Sequence, residues 1–191
     1  VAAYLPTASE PPITAALHDL HARGHRILVP VVRPARTLAW VIWDPQVEHP
    51  LNGLGIAEPE GEEYNTQAFV AADLRLVPAL AYARNGRRLG QGGGYYDRII
   101  PALSADKLRE STVGVVFSHE VLESIPYDKW DAVLPRVLTE NPSVIPRSRP
   151  RAQEHSACAK PCAARHPSRN RVRFAVHSIR NTRQPPRSRL P

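Results

Sequence analysis

Arg87-Arg88-Leu89-Gly90-Gln91-Gly92-Gly93-Gly94-Tyr95-Tyr96-Asp97-Arg98 is the stretch on which the reading of this chain turns. Four of the ten glycines fall within five positions of it, two arginines precede them and Tyr-Tyr-Asp-Arg follows. Glycine lacks Cβ, so such a run can adopt φ > 0 and turn its N–H groups onto an anion. The apolar run from Leu74 to Ala83 leads into it as a central strand, and a helix is expected to start near Tyr96. A strand, a basic glycine-rich loop and a helix N-terminus in that order form an arrangement that holds phosphate. The Walker and dinucleotide patterns both fail, because each would need a glycine where Tyr95 stands.

Working outward, Val1 to Leu5 reads as a short buried strand ended by Pro6, and Thr7 to Pro12 as a turn-rich loop holding Glu10. Ile13, Ala16, Leu17 and Leu20 recur at helical spacing, with Gly24 as the stop. Arg26–Val32 and Leu38–Trp43 read as strands, Asp44 to Thr66 as a loop with Asn52-Gly53 and Gly55 as turn formers, and Thr66–Ala72 as a short helix. Asn85-Gly86 suits a tight turn. Beyond the glycine-rich loop, Tyr96–Leu103 and Ala105–Glu110 are expected to be helical and broken near Pro101. Thr112–Phe117 reads as a strand buried on both faces, and Ala132–Leu138 as an edge strand interrupted by Pro135. Strands alternating with helices predict a three-layer α/β/α sandwich with a mostly parallel, Rossmann-like sheet. Ligands in such sheets bind outside the carboxyl ends of the strands, where the loops after Leu5, Trp43 and Ala83 are expected to converge.

The formal net charge of +7 hides two unlike parts: residues 1–140 carry −4 and residues 141–191 carry +11. The domain boundary is therefore drawn at 140, with an α/β domain over 1–140 and a Pro/Arg-rich tail over 141–191 whose composition does not support a packed core. His155, Cys158, Cys162 and His166 are only loosely spaced like zinc ligands. Nucleic-acid binding through the tail arginines is one alternative function, and out-of-frame translation of downstream DNA is the preferred origin of the tail. Residues 1–140 contain no cysteine, which fits a reducing compartment, and no run is apolar and long enough to span a membrane, so a cytoplasmic protein is expected.

Several residues can carry chemistry. The guanidinium forks of Arg87 and Arg88 suit phosphate oxygens. Asp97 suits Mg²⁺, a hard cation that bridges a carboxylate to phosphate, or caps the following helix. Tyr95 and Tyr96 stack on a ring, hydrogen-bond phosphate or pack as core. His18 and His21 read as surface histidines.

Arg88 to Arg98 resembles the signature of the 5-formyltetrahydrofolate cyclo-ligase family. Tyr4-Leu5-Pro6 with Glu10, Gly55-Ile56-Ala57-Glu58-Pro59, Leu76 to Ala81, and Ile125-Pro126 through Asp131 to Glu140 resemble its other segments in order, although Ala57 replaces the usual proline and Trp130 a usual histidine. The resemblance implies ATP-dependent cyclisation of 5-formyltetrahydrofolate or its polyglutamates by a monomer, with ATP and Mg²⁺ bound. It implies ATP on Arg88, Leu89, Gly90, Gln91, Gly92, Gly93, Gly94, Tyr95 and Tyr96, with Arg88, Tyr95 and Tyr96 taking part in catalysis. It implies the folate on Glu10 and the metal on Asp97 and Asp131, while Leu5, Trp40 and Ile56 read equally as apolar wall of a folate slot or as plain core. Family members also carry a basic helix ahead of the Tyr-Leu-Pro strand and some a lysine near the position of Gly93. Neither is in this sequence, so a front-truncated enzyme, or an inactive folate- or nucleotide-binding relic, is the expectation.

Overall fold

A computed structural model describes residues 1–51, 56–128 and 131–141. The turn read at Asn52-Gly53 and Gly55, the Trp130 position and the tail after residue 141 lie outside the described residues. Helix α1, Thr14–Ala22, buries Leu17 and ends as its sequence predicts. Gly24 at φ +86° turns the chain, its N–H meets the His21 carbonyl at 2.9 Å, and the His25 N–H meets the Leu20 carbonyl at 3.1 Å. This pair of bonds satisfies the last-turn carbonyls through a left-handed residue that only glycine adopts without penalty.

Strands β1, Leu28–Arg33, and β2, Thr37–Ile42, form an antiparallel hairpin with Arg33 opposite Thr37. Ala2 bridges Leu28 and Arg75 in parallel, so the first residues lie between β1 and β3, Arg75–Pro78. The sheet continues in parallel through β6, Thr112–Val115, to β8, Val137–Leu138, at the edge. It is thus mostly parallel, as expected, with β2 as the antiparallel exception. Successive residues alternate between two cores. Ala3, Ile27, Val29 and Trp43 pack on Leu17 of α1. Ala2, Trp40, Val77 and Val116 pack on the other face with Phe69 of α2, Thr66–Ala71, and Ile99 of α3, Tyr95–Ile99. The remaining helix, α4, Ala105–Glu110, lies against that second core through Leu108. Helices cover both faces, which gives the three layers of an α/β sandwich.

Two readings are corrected. The run from Leu74 to Ala83 is not one strand: β3 ends at Pro78, and β4, Ala81–Ala83, belongs to a second sheet. That sheet has the order β5-β4-β7, with β5 at Arg88–Leu89 and a strand not expected from the sequence, β7, at Val121–Leu122. Proline lacks the N–H that would continue the ladder, so the apolar run breaks there. Likewise Ala132–Leu138 divides at Pro135: Val133 bridges Arg87 beside the small sheet, and only Val137–Leu138 joins the large one. The helix after the glycine-rich loop starts at Tyr95 and tightens into a 3-10 turn over Ile100–Ala102 around Pro101.

Candidate active site

The turn Asn85-Gly86 brings the chain back antiparallel, pairing Ala81 with Leu89 and Tyr82 with Arg88. Gly86 sits at φ +85°, and a Cβ there would lie 2.3 Å from the Leu134 carbonyl oxygen, so both conformation and space demand glycine. Arg88 thereby enters the protein from a strand rather than hanging from a loop, and its side chain is 5% exposed. Its Nη2 lies 2.7 Å from both oxygens of Asp97, at the start of α3, and its Nε has no partner among the described residues. A Cβ on Gly90 would come within 2.7 Å of the Arg88 guanidinium, and one on Gly93 within 2.5 Å of the Tyr95 ring. The glycines thus let the Arg88 guanidinium and the Tyr95 ring pack directly against the loop backbone.

Gly92 at φ +82° and Gly94 at φ +65° carry the loop into α3. Arg98 clamps it by donating from Nη1 to the carbonyls of Gly93 at 3.1 Å and Gly94 at 3.2 Å, and to Arg36 on the β1–β2 turn at 3.3 Å. Among the described residues, the main-chain N–H groups of Gln91, Gly92 and Gly93 donate to no protein acceptor. Unpaired loop amides and an unpaired buried guanidinium nitrogen form a donor set that fits the phosphates of ATP.

Next to this loop opens a cleft of about 380 Å³. It contains most of the expected site: Leu5, Glu10, Ile56, Arg88, Gly90, Gln91, Gly93, Gly94, Tyr95 and Tyr96 all line it. The loop after Leu5, the loop after β2 and the glycine-rich loop therefore do converge. Glu10 is held by its own turn, since one carboxylate oxygen accepts from the Thr7 N–H at 2.8 Å and the Thr7 hydroxyl at 3.0 Å. The second oxygen has no partner among the described residues.

Four expected residues lie off the cleft lining. Leu89 packs with Ala81, Ala83 and Ile125, and Gly92 is exposed with open space around it. Asp97 is engaged by Arg88, and Asp131 accepts from the Asp128 N–H at 2.7 Å. No group of three acidic, histidine or cysteine side chains is assembled among the described residues. A cage of protein ligands is thus not what these residues offer. Asp97 keeps lone pairs beyond its bonds to Arg88 and is 26% exposed, so it fits a Mg²⁺ ion held by one carboxylate, phosphate oxygens and water. Arg87 departs from its expected phosphate role, and Trp40 takes the core alternative of its two readings. Arg87 lays its guanidinium 3.5 Å over the Tyr127 ring, off the cleft lining, and Trp40 is fully buried and stacked on Phe69 at 4.9 Å. Trp40 is therefore core, while Leu38, two residues earlier on the same face of β2, takes the wall position.

A scan against protein-family models matches residues 1–140 to the 5-formyltetrahydrofolate cyclo-ligase family. The chain belongs to that family. It is 34% identical to the 5-formyltetrahydrofolate cyclo-ligase of Mycolicibacterium smegmatis, over 76% of this chain and 75% of that one. It is 30% identical to the Escherichia coli K12 enzyme of the same name, over 73% and 76%. Among solved structures, the 5,10-methenyltetrahydrofolate synthetase of Aquifex aeolicus superposes with a TM-score of 0.59 at 29% identity, covering 81% of this chain and 75% of that one. The synthetase of Mycoplasma pneumoniae shares the fold at a TM-score of 0.52 and 21% identity, over 71% and 70%. Among the described residues no helix is long and apolar enough to cross a membrane.

In this cyclo-ligase, sequence reasoning missed Tyr4, Thr7, Glu58 and the Pro78-Ala79 step, all of which line the cleft. Tyr4 carried a usable signal, being a hydroxyl-bearing residue inside an otherwise apolar strand. Tyr4, Tyr82 and Tyr96 cluster at the cleft and beneath it, and burial is the main force pushing each phenol above its ordinary value. Glu10 adds to the effect at Tyr4 and Tyr96, while Arg88 opposes it at Tyr82 and Tyr96. The unfolded chain loses these protons near pH 10 while the folded chain keeps them, so their stabilisation is full below pH 10 and is lost as pH rises toward the folded values. Thermal melts from pH 9 to 11.5 are expected to show stability falling by up to about 1.4 kcal/mol per pH unit for each tyrosine. A flat profile would contradict the burial of these hydroxyls.

Proposed function

We propose that the chain catalyses the ATP-dependent cyclisation of 5-formyltetrahydrofolate to 5,10-methenyltetrahydrofolate, with release of ADP and phosphate. The observation that carries this reading is one cleft lined both by the Arg88–Tyr96 phosphate loop and by Glu10. The catalytic unit is residues 1–140, the span matched by the family model, and its lack of cysteine fits a reducing cytoplasm.

The formyl oxygen on N5 attacks the γ-phosphorus of ATP, and the bond to the ADP oxygen breaks. N10 then adds to the activated formyl carbon and loses its proton, and the phosphate leaves with the C–O bonding pair. No protein nucleophile takes part, so the residues act by positioning and charge neutralisation. Arg88, fixed by Asp97, meets the charge on the transferring phosphoryl group together with the unpaired loop amides. Glu10, fixed by Thr7, accepts from the ring N–H groups of the folate. Leu5, Leu38 and Ile56 supply apolar wall. Tyr95 and Tyr96 bound the same space at the phosphate end. Mg²⁺ at Asp97 would supply further neutralisation of phosphate charge.

The test is to mix the chain with 5-formyltetrahydrofolate and MgATP and follow the near-ultraviolet absorbance of the methenyl product. Product formation is expected, and Glu10→Gln is expected to raise the KM for the folate by about 10–100-fold, the worth of a hydrogen bond to a charged group. No product, or an unchanged folate KM in the variant, would refute the reading or the role of Glu10 respectively.

A further inference from the structure

Three enclosed polar atoms on residues lining the cleft have no partner among the described residues: Tyr4 Oη, Tyr96 Oη and Arg88 Nε. A buried hydroxyl left unpaired is costly, and native proteins retain one chiefly where a ligand or water completes it. The Tyr96 and Arg88 atoms go together, since the Arg88 guanidinium lies 5.7 Å from the Tyr96 ring at the phosphate end. Tyr4 is different. It is 3% exposed, sits on the segment between β1 and β3, and precedes the loop that holds Glu10. The charges that act on its hydroxyl are the carboxylates of Glu10 and Glu120. Its unpaired hydroxyl is thus a donor in the lining of the cleft that also holds the acceptor Glu10, six residues on in the same connection.

A ligand edge that satisfies both must present a donor next to an acceptor. The folate ring has such an edge, an N–H beside a ring carbonyl. We propose that the Tyr4 hydroxyl donates a hydrogen bond to this ring carbonyl, adjacent to the N–H that Glu10 accepts, and so selects 4-oxo over 4-amino pteridines. The inference rests on the folate-binding reading above. Tyr4 acts here as a specificity residue at the ring end, away from the phosphoryl transfer.

The experiment compares the full chain with its Tyr4→Phe variant, which removes one oxygen and keeps the ring. Dissociation constants are measured for 5-formyltetrahydrofolate, for its 4-amino-4-deoxy analogue and for ATP. Tyr4→Phe is expected to weaken 5-formyltetrahydrofolate about 5–20-fold, to leave ATP within about twofold, and to shrink the preference for the 4-oxo over the 4-amino compound by a similar factor. That preference is a ratio within each protein, so a general loosening of the fold does not mimic its loss. An unchanged folate constant, or an unchanged preference, overturns the role of Tyr4 while leaving the folate reading intact. A parent chain that binds ATP but neither pteridine overturns both together.

Discussion

Replacing Arg88 with alanine is expected to lower kcat/KM for methenyl formation by about 10²–10³-fold, the usual loss when one preorganised donor to a developing charge is removed. Three observations set this size. The guanidinium is buried and pinned through Nη2 to both Asp97 oxygens, so it needs no reorganisation when charge builds on phosphate. Its Nε is unpaired, so one donor is free for substrate. Gly90 lets the guanidinium lie against the loop that carries the unpaired amides of Gln91, Gly92 and Gly93. The substitution also strips Asp97 of its partner, and a fold penalty could imitate a chemical one. Breaking a buried pair costs about 3–5 kcal/mol, but Asp97 is partly open to water, so the penalty here is about 1–3 kcal/mol. The double variant Arg88→Met with Asp97→Asn removes both charges and is expected to recover most of the melting temperature without recovering the rate. Steady-state kinetics and thermal melts on the parent, the single and the double variant separate the two effects. If the double variant regained activity, Arg88 would be a structural residue and the phosphate role would fall to the loop amides.

The phosphate end of the cleft could be read from the sequence because its signals are local. Glycine conformation, the Asn85-Gly86 turn and flanking charge all act within a dozen residues, and the structure keeps them together. The ring end was half legible: Glu10 was recognisable only through a resemblance, since nothing near it in sequence announces that Thr7 fixes its orientation. What failed were the steps that depend on distant partners. Periodicity reads Leu74–Ala83 as one apolar strand, yet Pro78 divides it between two sheets whose partners, β6 and β7, lie more than thirty residues onward. Asp97 reads as a ligand or a cap because both are local roles, whereas its partner Arg88 comes from a strand nine residues back. Arg87 and Arg88 look equivalent as neighbours, but strand alternation sends one onto Tyr127 and the other under the cleft. Trp40 and Leu38 share a face of β2, and only their distance from the strand end decides which is wall and which is core.

The largest stability effect is expected at a residue that neither motif nor periodicity marks. Arg75 lies on β3 between Leu74 and Leu76 and reads as one polar interruption in a strand, yet it is fully buried. Its guanidinium donates to the last carbonyls of α2: Nε to Phe69 at 2.8 Å, and Nη2 to Val70 at 2.5 Å and to Ala72. Its Nη1 donates to the Ser111 hydroxyl at 2.8 Å, where α4 leads into β6. Helix C-termini leave carbonyls without intrahelical partners, and here one cation satisfies several at a dipole end that favours positive charge. Among the described residues no carboxylate bonds it directly. Burial pushes its pKa below the ordinary arginine value, with Asp73 partly opposing the shift. Arg75→Met keeps the stem and removes the donors, leaving buried oxygens unpaired. It is expected to destabilise the fold by about 3–5 kcal/mol, lowering the melting temperature by about 10–20 °C. The damage would reach the site by a definite route. Phe69, on α2, stacks on Trp40 and meets the Tyr96 ring edge-on at 6.4 Å, so a loosened α2 releases the back of the cleft. Calorimetry gives the first effect, and the folate and ATP constants measured well below the melting point give the second. A variant that melts with the parent would mean that water replaces the guanidinium at the end of α2, and that the arginine holds the helix only incidentally.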